Sequence, residues 1–192
     1  MAVAVNAFYE ERLQHLFELG EQVKLIFEAA GLEYRIVGGL ATYLYVEQRT
    51  PDAGRLTKDI DVLVRREDLI KLTAAAEAFG FVHRHAAELD MLVRREEPSA
   101  RRAVHLVLAG ELVKPGDFEP TPALVADSAS DELKGLKLLP LHELVRMKLV
   151  SYRLKDQVHV KDIQEAGLIT PDLIAGLPVL LRERLTRVLE AD

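Results

Sequence analysis

The chain has no cysteine in 192 residues, which excludes disulfides, zinc–thiolate sites and thiol catalysis together. No apolar run approaches the roughly 18–20 residues that cross a bilayer. The first six residues, MAVAVN, lack a basic stretch followed by a long apolar one. A secretory signal is therefore not expected, and a cytoplasmic protein with no membrane partner is. Positive charge is in deficit: 25 Lys and Arg against 31 Asp and Glu leave a net charge of −6. That balance argues against a general nucleic-acid coat and leaves room only for a local basic patch. Internal repeats and low-complexity tails are also missing. What is present is ordinary: 49% hydrophobic and 29% charged residues, in a length that supports one domain or a domain with a helical appendage.

Helices and strands alternate along the chain. Leu13, Leu16, Phe17, Val23, Leu25, Ile26 and Phe27 carry helical spacing over Glu10 to Ala30, and Gly31 ends the pattern. Tyr34 to Val37 reads as a short strand, Leu40 to Val46 as a helix, and Gln48 to Leu56 as a loop. Asp59 to Val64 is a second strand, and Glu67 to Phe79 an alanine-rich helix stopped by Gly80. Phe81 to His85, Asp90 to Arg94 and Ala103 to Leu108 complete the predicted strands. Lys114 to Lys134 reads as a long surface loop. Leu141 to about Gly167 reads as mostly helical, with a last short helix from Pro171 or Pro178 to Leu189. The expected fold class is α+β, with a mixed sheet and helices over residues 1–135 and a helical region over 136–192 packed on it.

The most informative stretch is Thr57-Lys58-Asp59-Ile60-Asp61-Val62-Leu63-Val64, downstream of Val37-Gly38-Gly39-Leu40. Alternate strand residues share a face, so Asp59 and Asp61 point together while Ile60, Val62 and Val64 point elsewhere. Their Cα atoms would lie roughly 6.5–7 Å apart, close enough to hold one or two hard cations. Two anions side by side at the head of an apolar strand repel each other and lose hydration, and a divalent metal would remove that penalty. Gly38 and Gly39, turning a strand into a helix, let the backbone approach a ligand and aim unpaired N–H groups at it, which favours phosphate. Each element alone also has a bland reading, a tight turn for the glycines and a solvated strand edge for the aspartates. Their order is what carries information.

That order, Gly-Gly after one strand and Asp-x-Asp on the next, resembles the nucleotidyltransferase superfamily with the polymerase-β-like palm. The stretches IVGGLATYLYVEQ and RLTKDIDVLV are similar to AbiE-type toxin nucleotidyltransferases, as are Arg146-Met-Lys148, Tyr152-Arg153-Leu-Lys155-Asp156 and Lys161-Asp162-Ile163. The resemblance spans about residues 30 to 165 and implies transfer of a nucleoside monophosphate from a nucleoside triphosphate to a hydroxyl-type acceptor, using Mg²⁺. It implies that Asp59 and Asp61 bind metal and are catalytic, and that Gly38 and Gly39 receive the phosphates. Thr57 and Arg55 could then touch phosphate or ribose, and Lys148 and Asp156 join the nucleotide site from the helical region. The acceptor is open among a small molecule, a tRNA and a protein side chain. A toxin role would add an antitoxin-like protein partner.

One departure stands out. The family carries a third carboxylate on a neighbouring strand, where this chain has Arg102-Ala-Val-His105-Leu-Val-Leu. Either His105 or Asp90, in its own apolar strand, takes that role, or the chemistry is lost and the domain binds a nucleotide or a protein without turnover. If Leu144 to Asp162 were one helix, Lys148, Lys155, His159 and Asp162 would fall within about 60° of one another. Lys148 interrupts the apolar face and is the better phosphate ligand. Lys155, Lys161 and Arg153 read as an amphipathic boundary. Arg94, Arg95, Arg101 and Arg102 form a small basic cluster at a hairpin, read first as a solvated tip.

Overall fold

Apolar β-branched runs form strands, and helices cover them. The structure, a computed structural model, describes residues 2–86, 88–96, 98–99, 103–125 and 130–191. Its N-terminal half contains α1 (Ala2–Ala30), β1 (Arg35–Val37), α2 (Gly38–Arg49), β2 (Ile60–Val64), α3 (Leu69–Ala78), β3 (Phe81–Ala86) and β4 (Leu89–Arg94). Then come β5 (Val104–Leu108), β6 (Asp131–Leu133), β7 (Leu136–Leu138), α4 (Leu141–Ser151), α5 (Leu154–Glu165), α6 (Pro171–Gly176) and α7 (Val179–Glu190). The fold is α+β, as the sequence predicts.

The strands make one seven-stranded mixed sheet in the order β3-β4-β5-β2-β1-β7-β6. β1 and β2 run antiparallel, while β2 with β5 and β1 with β7 run parallel. Paired residues share a side of the sheet, so the register sorts the faces. Ile36 pairs with Val62 and Val62 with Leu106, on the face where Gly20 of α1 comes against Ile60. There Leu19, Val23, Ile26 and Phe27 of α1 and Leu72 and Ala76 of α3 bury the main core. The other face carries Val37, Asp61 and His105 side by side, because Val37 pairs with Asp61 and Asp61 with His105.

The C-terminal helices have a second core of Val145, Leu149, Val160, Ile163, Leu181, Leu185 and Val188, which Val46 of α2 enters. α2 thus joins the two cores. The expected division at 135/136 falls inside the β6–β7 hairpin, whose strands both belong to the sheet.

Three expectations change. The helix predicted from Leu141 to about Gly167 is two helices, broken at Tyr152, which adopts a left-handed conformation (φ 51°, ψ 24°). Such a conformation is unusual for a bulky residue, and no glycine or proline marks the break in the sequence. The Lys114 to Lys134 loop ends in β6, because Lys134-Gly135 turns back into β7. The last helix is a pair, started by Pro171 and, after Pro178, by Val179. Among the described residues no helix is long and apolar enough to cross a membrane.

Candidate active site

The two aspartates and the histidine predicted from separate strands converge. Asp59, just before β2, Asp61 within it and His105 on β5 place one ligand atom each within 4.8 Å of one another. His105 Nδ1 lies 3.3 Å from Asp61 Oδ1 and 3.5 Å from Asp59 Oδ2. Thr57 Oγ1 donates to Asp59 Oδ1 at 2.8 Å and holds that carboxylate in place. Among the described residues no Lys or Arg pairs with either aspartate. Two carboxylates and an imidazole converging on one point suit a divalent cation.

The glycines act mainly on these side chains. Gly38 has φ +65°, and a Cβ there would fall 2.8 Å from Asp61 Cγ. A residue with a side chain at this position would be strained and would displace Asp61. A Cβ on Gly39 would lie 2.8 Å from both Cβ and Oγ1 of Thr57. So Gly38 admits Asp61 to the start of α2, and Gly39 admits the threonine that orients Asp59. The N-terminus of α2 carries no side-chain cap, which leaves its first N–H groups and positive dipole end facing the carboxylate pair.

Lys148 reaches the same cavity from α4. It is buried (3% exposed), and Nζ donates to His159 Nδ1 at 2.8 Å and lies 3.8 Å from Asp156 Oδ1. Burial pushes its pKa down to about 8, against the pull of the Asp156 and Asp61 charges. Burial and the neighbouring lysine push His159 down to about 4, so the imidazole is neutral and accepts. Asp156 stands in the first turn of α5, where the helix dipole favours an anion. It accepts from Ser151 Oγ at 2.9 Å and Arg153 Nε at 2.7 Å. Burial raises its pKa, but these donors and Lys148 outweigh that and hold it below the usual carboxylate range. The break at Tyr152 makes this cluster: a continuous helix would run Asp156 and His159 away from Lys148.

The cavity between the carboxylates and α4 measures about 720 Å³. Gly38, Asp59, Asp61, His105, Lys148 and Asp156 line it, and so do Arg153 and Lys155, which had read as a solvated boundary. Its far wall is the segment from Val113 to Leu124. That loop closes at its neck, where Thr121 N donates to Glu111 O at 2.9 Å and Thr121 Oγ1 to Leu108 O at 2.5 Å. Arg146 Nε of α4 donates to Glu119 at 2.8 Å and ties the loop down.

Other expected residues lie elsewhere. Asp90 is a correction: it pairs with Leu106 while His105 pairs with Met91, so the two point to opposite faces of the sheet. Its carboxylate instead meets His83 Nε2 at 2.8 Å and His85 Nδ1 at 3.0 Å. Burial opposes its ionisation, but the two imidazoles together hold its pKa below the ordinary value. Arg55 donates to Asp162 on α5 at 2.8 and 3.0 Å and does not line the cavity; nor do Gly39 and Thr57, which work from behind Asp59. Arg94 is engaged by Gln22 of α1 and the Phe81 ring, while Arg101 and Arg102 lie outside the described residues. Arg35 was not foreseen: it is a fully buried cation on β1 that lines the cavity, bonded to Glu33. Its only sequence signal was a charge inside an apolar strand.

No protein-family model matches the chain, and no curated protein does. Solved structures do. ANT(2'')-Ia in complex with adenylyl-2''-tobramycin superposes with a TM-score of 0.53 at 15% identity, over 88% of this chain and 97% of its own. An antigenic nucleotidyltransferase-like protein from Paracoccidioides brasiliensis superposes with a TM-score of 0.51 at 16% identity, over 88% of this chain and 85% of its own. The chain therefore has a nucleotidyltransferase fold.

Proposed function

We propose that this protein is a metal-dependent nucleotidyltransferase that moves a nucleoside monophosphate from a nucleoside triphosphate to the hydroxyl of an acceptor. The observation that carries this reading is the convergence of Asp59, Asp61 and His105 within 4.8 Å at the uncapped start of α2. Asp59 and Asp61 would hold the divalent cation, for which Mg²⁺ is the family expectation. Bound there, the ion would neutralise triphosphate charge and stabilise the attacking and leaving oxygens. The α2 N–H groups receive the terminal phosphates, and Lys148 donates to them from the opposite wall. The acceptor oxygen bonds to the α-phosphorus, the bond from that phosphorus to the bridging oxygen breaks, and pyrophosphate and the acceptor's proton leave.

A small-molecule acceptor is favoured, because the 113–124 loop walls the cavity and the chain is acidic. The neighbour solved with adenylyl-2''-tobramycin supports a small hydroxyl-bearing acceptor and an adenine nucleotide. A tRNA acceptor, an AbiE-type toxin role and an antitoxin-like partner rest on the sequence resemblance alone.

A second reading has its own support. His105 stands where the family has a carboxylate, and its Nδ1 lies between the two aspartates. An imidazolium there would cancel one of the two carboxylate charges without metal and leave a palm that binds without turnover.

Incubation with each α-labelled triphosphate, a divalent metal and acceptor pools of small molecules, tRNA and cell extract separates the two. Label transferred by the wild type and absent with Asp59→Ala/Asp61→Ala supports the enzyme. Triphosphate binding without transfer supports the second reading, and no binding of any triphosphate sinks both.

A further inference from the structure

We propose that His105 is itself a metal ligand, and that its imidazole makes this centre prefer a first-row transition dication, such as Mn²⁺, over Mg²⁺. This rests on the metal centre of the proposed function and deepens it.

The distances fit ligation of a shared ion as well as they fit a long hydrogen bond from Nδ1 to Asp61. Nδ1 stands 3.3 Å from Asp61 Oδ1 and 3.5 Å from Asp59 Oδ2. Both exceed the roughly 2.7–2.9 Å of a charge-assisted N–H···O⁻ bond. Two ligand atoms on one ion, each bonded at ~2.1 Å at octahedral or tetrahedral angles, lie about 3.0–3.4 Å apart. The imidazole thus stands from each carboxylate at about the spacing of ligands on one ion, and all three groups offer ligand atoms within 4.8 Å of one another. The strand register imposes this, since His105 pairs directly with Asp61 across β2 and β5. The centre is also sheltered, with side-chain exposures of 14% for His105, 28% for Asp59 and 23% for Asp61.

The donor set then decides the ion. Mg²⁺ is small and hard and is held by carboxylates, phosphates and retained waters. Exchanging a carboxylate for a neutral imidazole removes one negative charge and supplies a softer nitrogen. Both changes weaken a Mg²⁺ site more than a Mn²⁺, Co²⁺ or Zn²⁺ site. A third carboxylate would have kept the centre hard. A ligand role also occupies Nδ1, so that nitrogen cannot accept the acceptor's proton.

The test uses the metal-free 192-residue chain, with Mn²⁺ as the probe and no nucleotide. Electron paramagnetic resonance counts bound Mn²⁺ as the free-ion signal disappears, and its pulsed form detects ¹⁴N coupling from a directly bonded imidazole. Expected are Mn²⁺ binding with ¹⁴N coupling in the wild type, and binding without coupling in His105→Asp. Expected too is displacement by Mg²⁺ at a concentration about tenfold lower in His105→Asp than in the wild type. His105→Gln, which keeps the size but loses the coupling, covers the case in which the extra carboxylate disturbs folding. No Mn²⁺ binding, bound Mn²⁺ without ¹⁴N coupling, or equal displacement from wild type and variant would overturn the inference. Label transfer by a wild type without the coupling would overturn it alone. Coupling without any transfer would support it while removing the nucleotidyltransferase reading.

Discussion

At the residue scale the site depends on where side chains are excluded as much as on where they are. Gly38 holds a left-handed backbone against the Asp61 carboxylate, so Gly38→Ala meets both strain and a clash. A loss of ~2 kcal/mol is expected, read as a melting temperature lower by about 4–8 °C, together with loss of metal binding. Lys148 behaves differently. Its ammonium is desolvated, and its partner Asp156 keeps Arg153 and Ser151 when the lysine goes. Lys148→Met is therefore expected to change stability by less than about 1.5 kcal/mol while weakening triphosphate binding at least tenfold. The pH dependence has two signs. The folded pKa of about 8 lies below the ordinary lysine value of 10.5, so the unfolded chain holds more protons between them. This group's unfavourable contribution is full below pH 8 and is relieved as pH rises through that window. Triphosphate affinity is expected to fall over the same window as the charge is lost. Isothermal titration at pH 7 and pH 9, beside Lys148→Met, measures it; a wild type that loses no more affinity than the variant would rule the lysine out.

At the scale of elements, the Asp-x-Asp strand and the Gly-Gly turn were legible because each rests on a local rule, alternation along a strand and the freedom of glycine. The third group was only half legible: alternation along β5 could be read, but the choice between His105 and Asp90 waited on the pairing of β5 with β2, which brings His105 beside Asp61. Asp90 misled because its strand has the same apolar pattern, and only the antiparallel register of β4 on β5 turns it to the other face. The Tyr152 break was hidden because it is held by tertiary contacts. Arg184 of α7 stacks on the Tyr152 ring at 4.8 Å and donates to the carbonyls of Leu149 and Val150 at 2.7 and 2.8 Å. The same guanidinium lies 5.0 Å from the Phe118 ring of the cavity loop. A helix far along the chain thus steadies both the α4–α5 turn and the loop that walls the cavity. Arg184→Ala is expected to raise amide exchange in residues 111–124 more than in β2 or β5. Equal protection in the loop would show that Glu119 and Arg146 hold it unaided.

Across the whole molecule, the sheet supplies the carboxylates and histidine, and the helical region supplies Lys148 and Asp156. The cavity exists only while the two cores stay docked. Val46 of α2 lies in the second core although α2 starts at the site, so the cores are expected to melt together. Leu181→Ala, at a fully buried position, should cost about 2–5 kcal/mol and shift one calorimetric transition. Two separated transitions would mean that the helical region unfolds alone. The measurement that bears most directly on the site is isothermal titration of a non-hydrolysable nucleoside triphosphate, with and without a divalent metal, into the wild type and Asp59→Ala/Asp61→Ala. Binding that needs both the metal and the two aspartates is the expected result. Binding that persists without metal, or is undiminished in the double variant, would contradict the placement of the nucleotide at this centre.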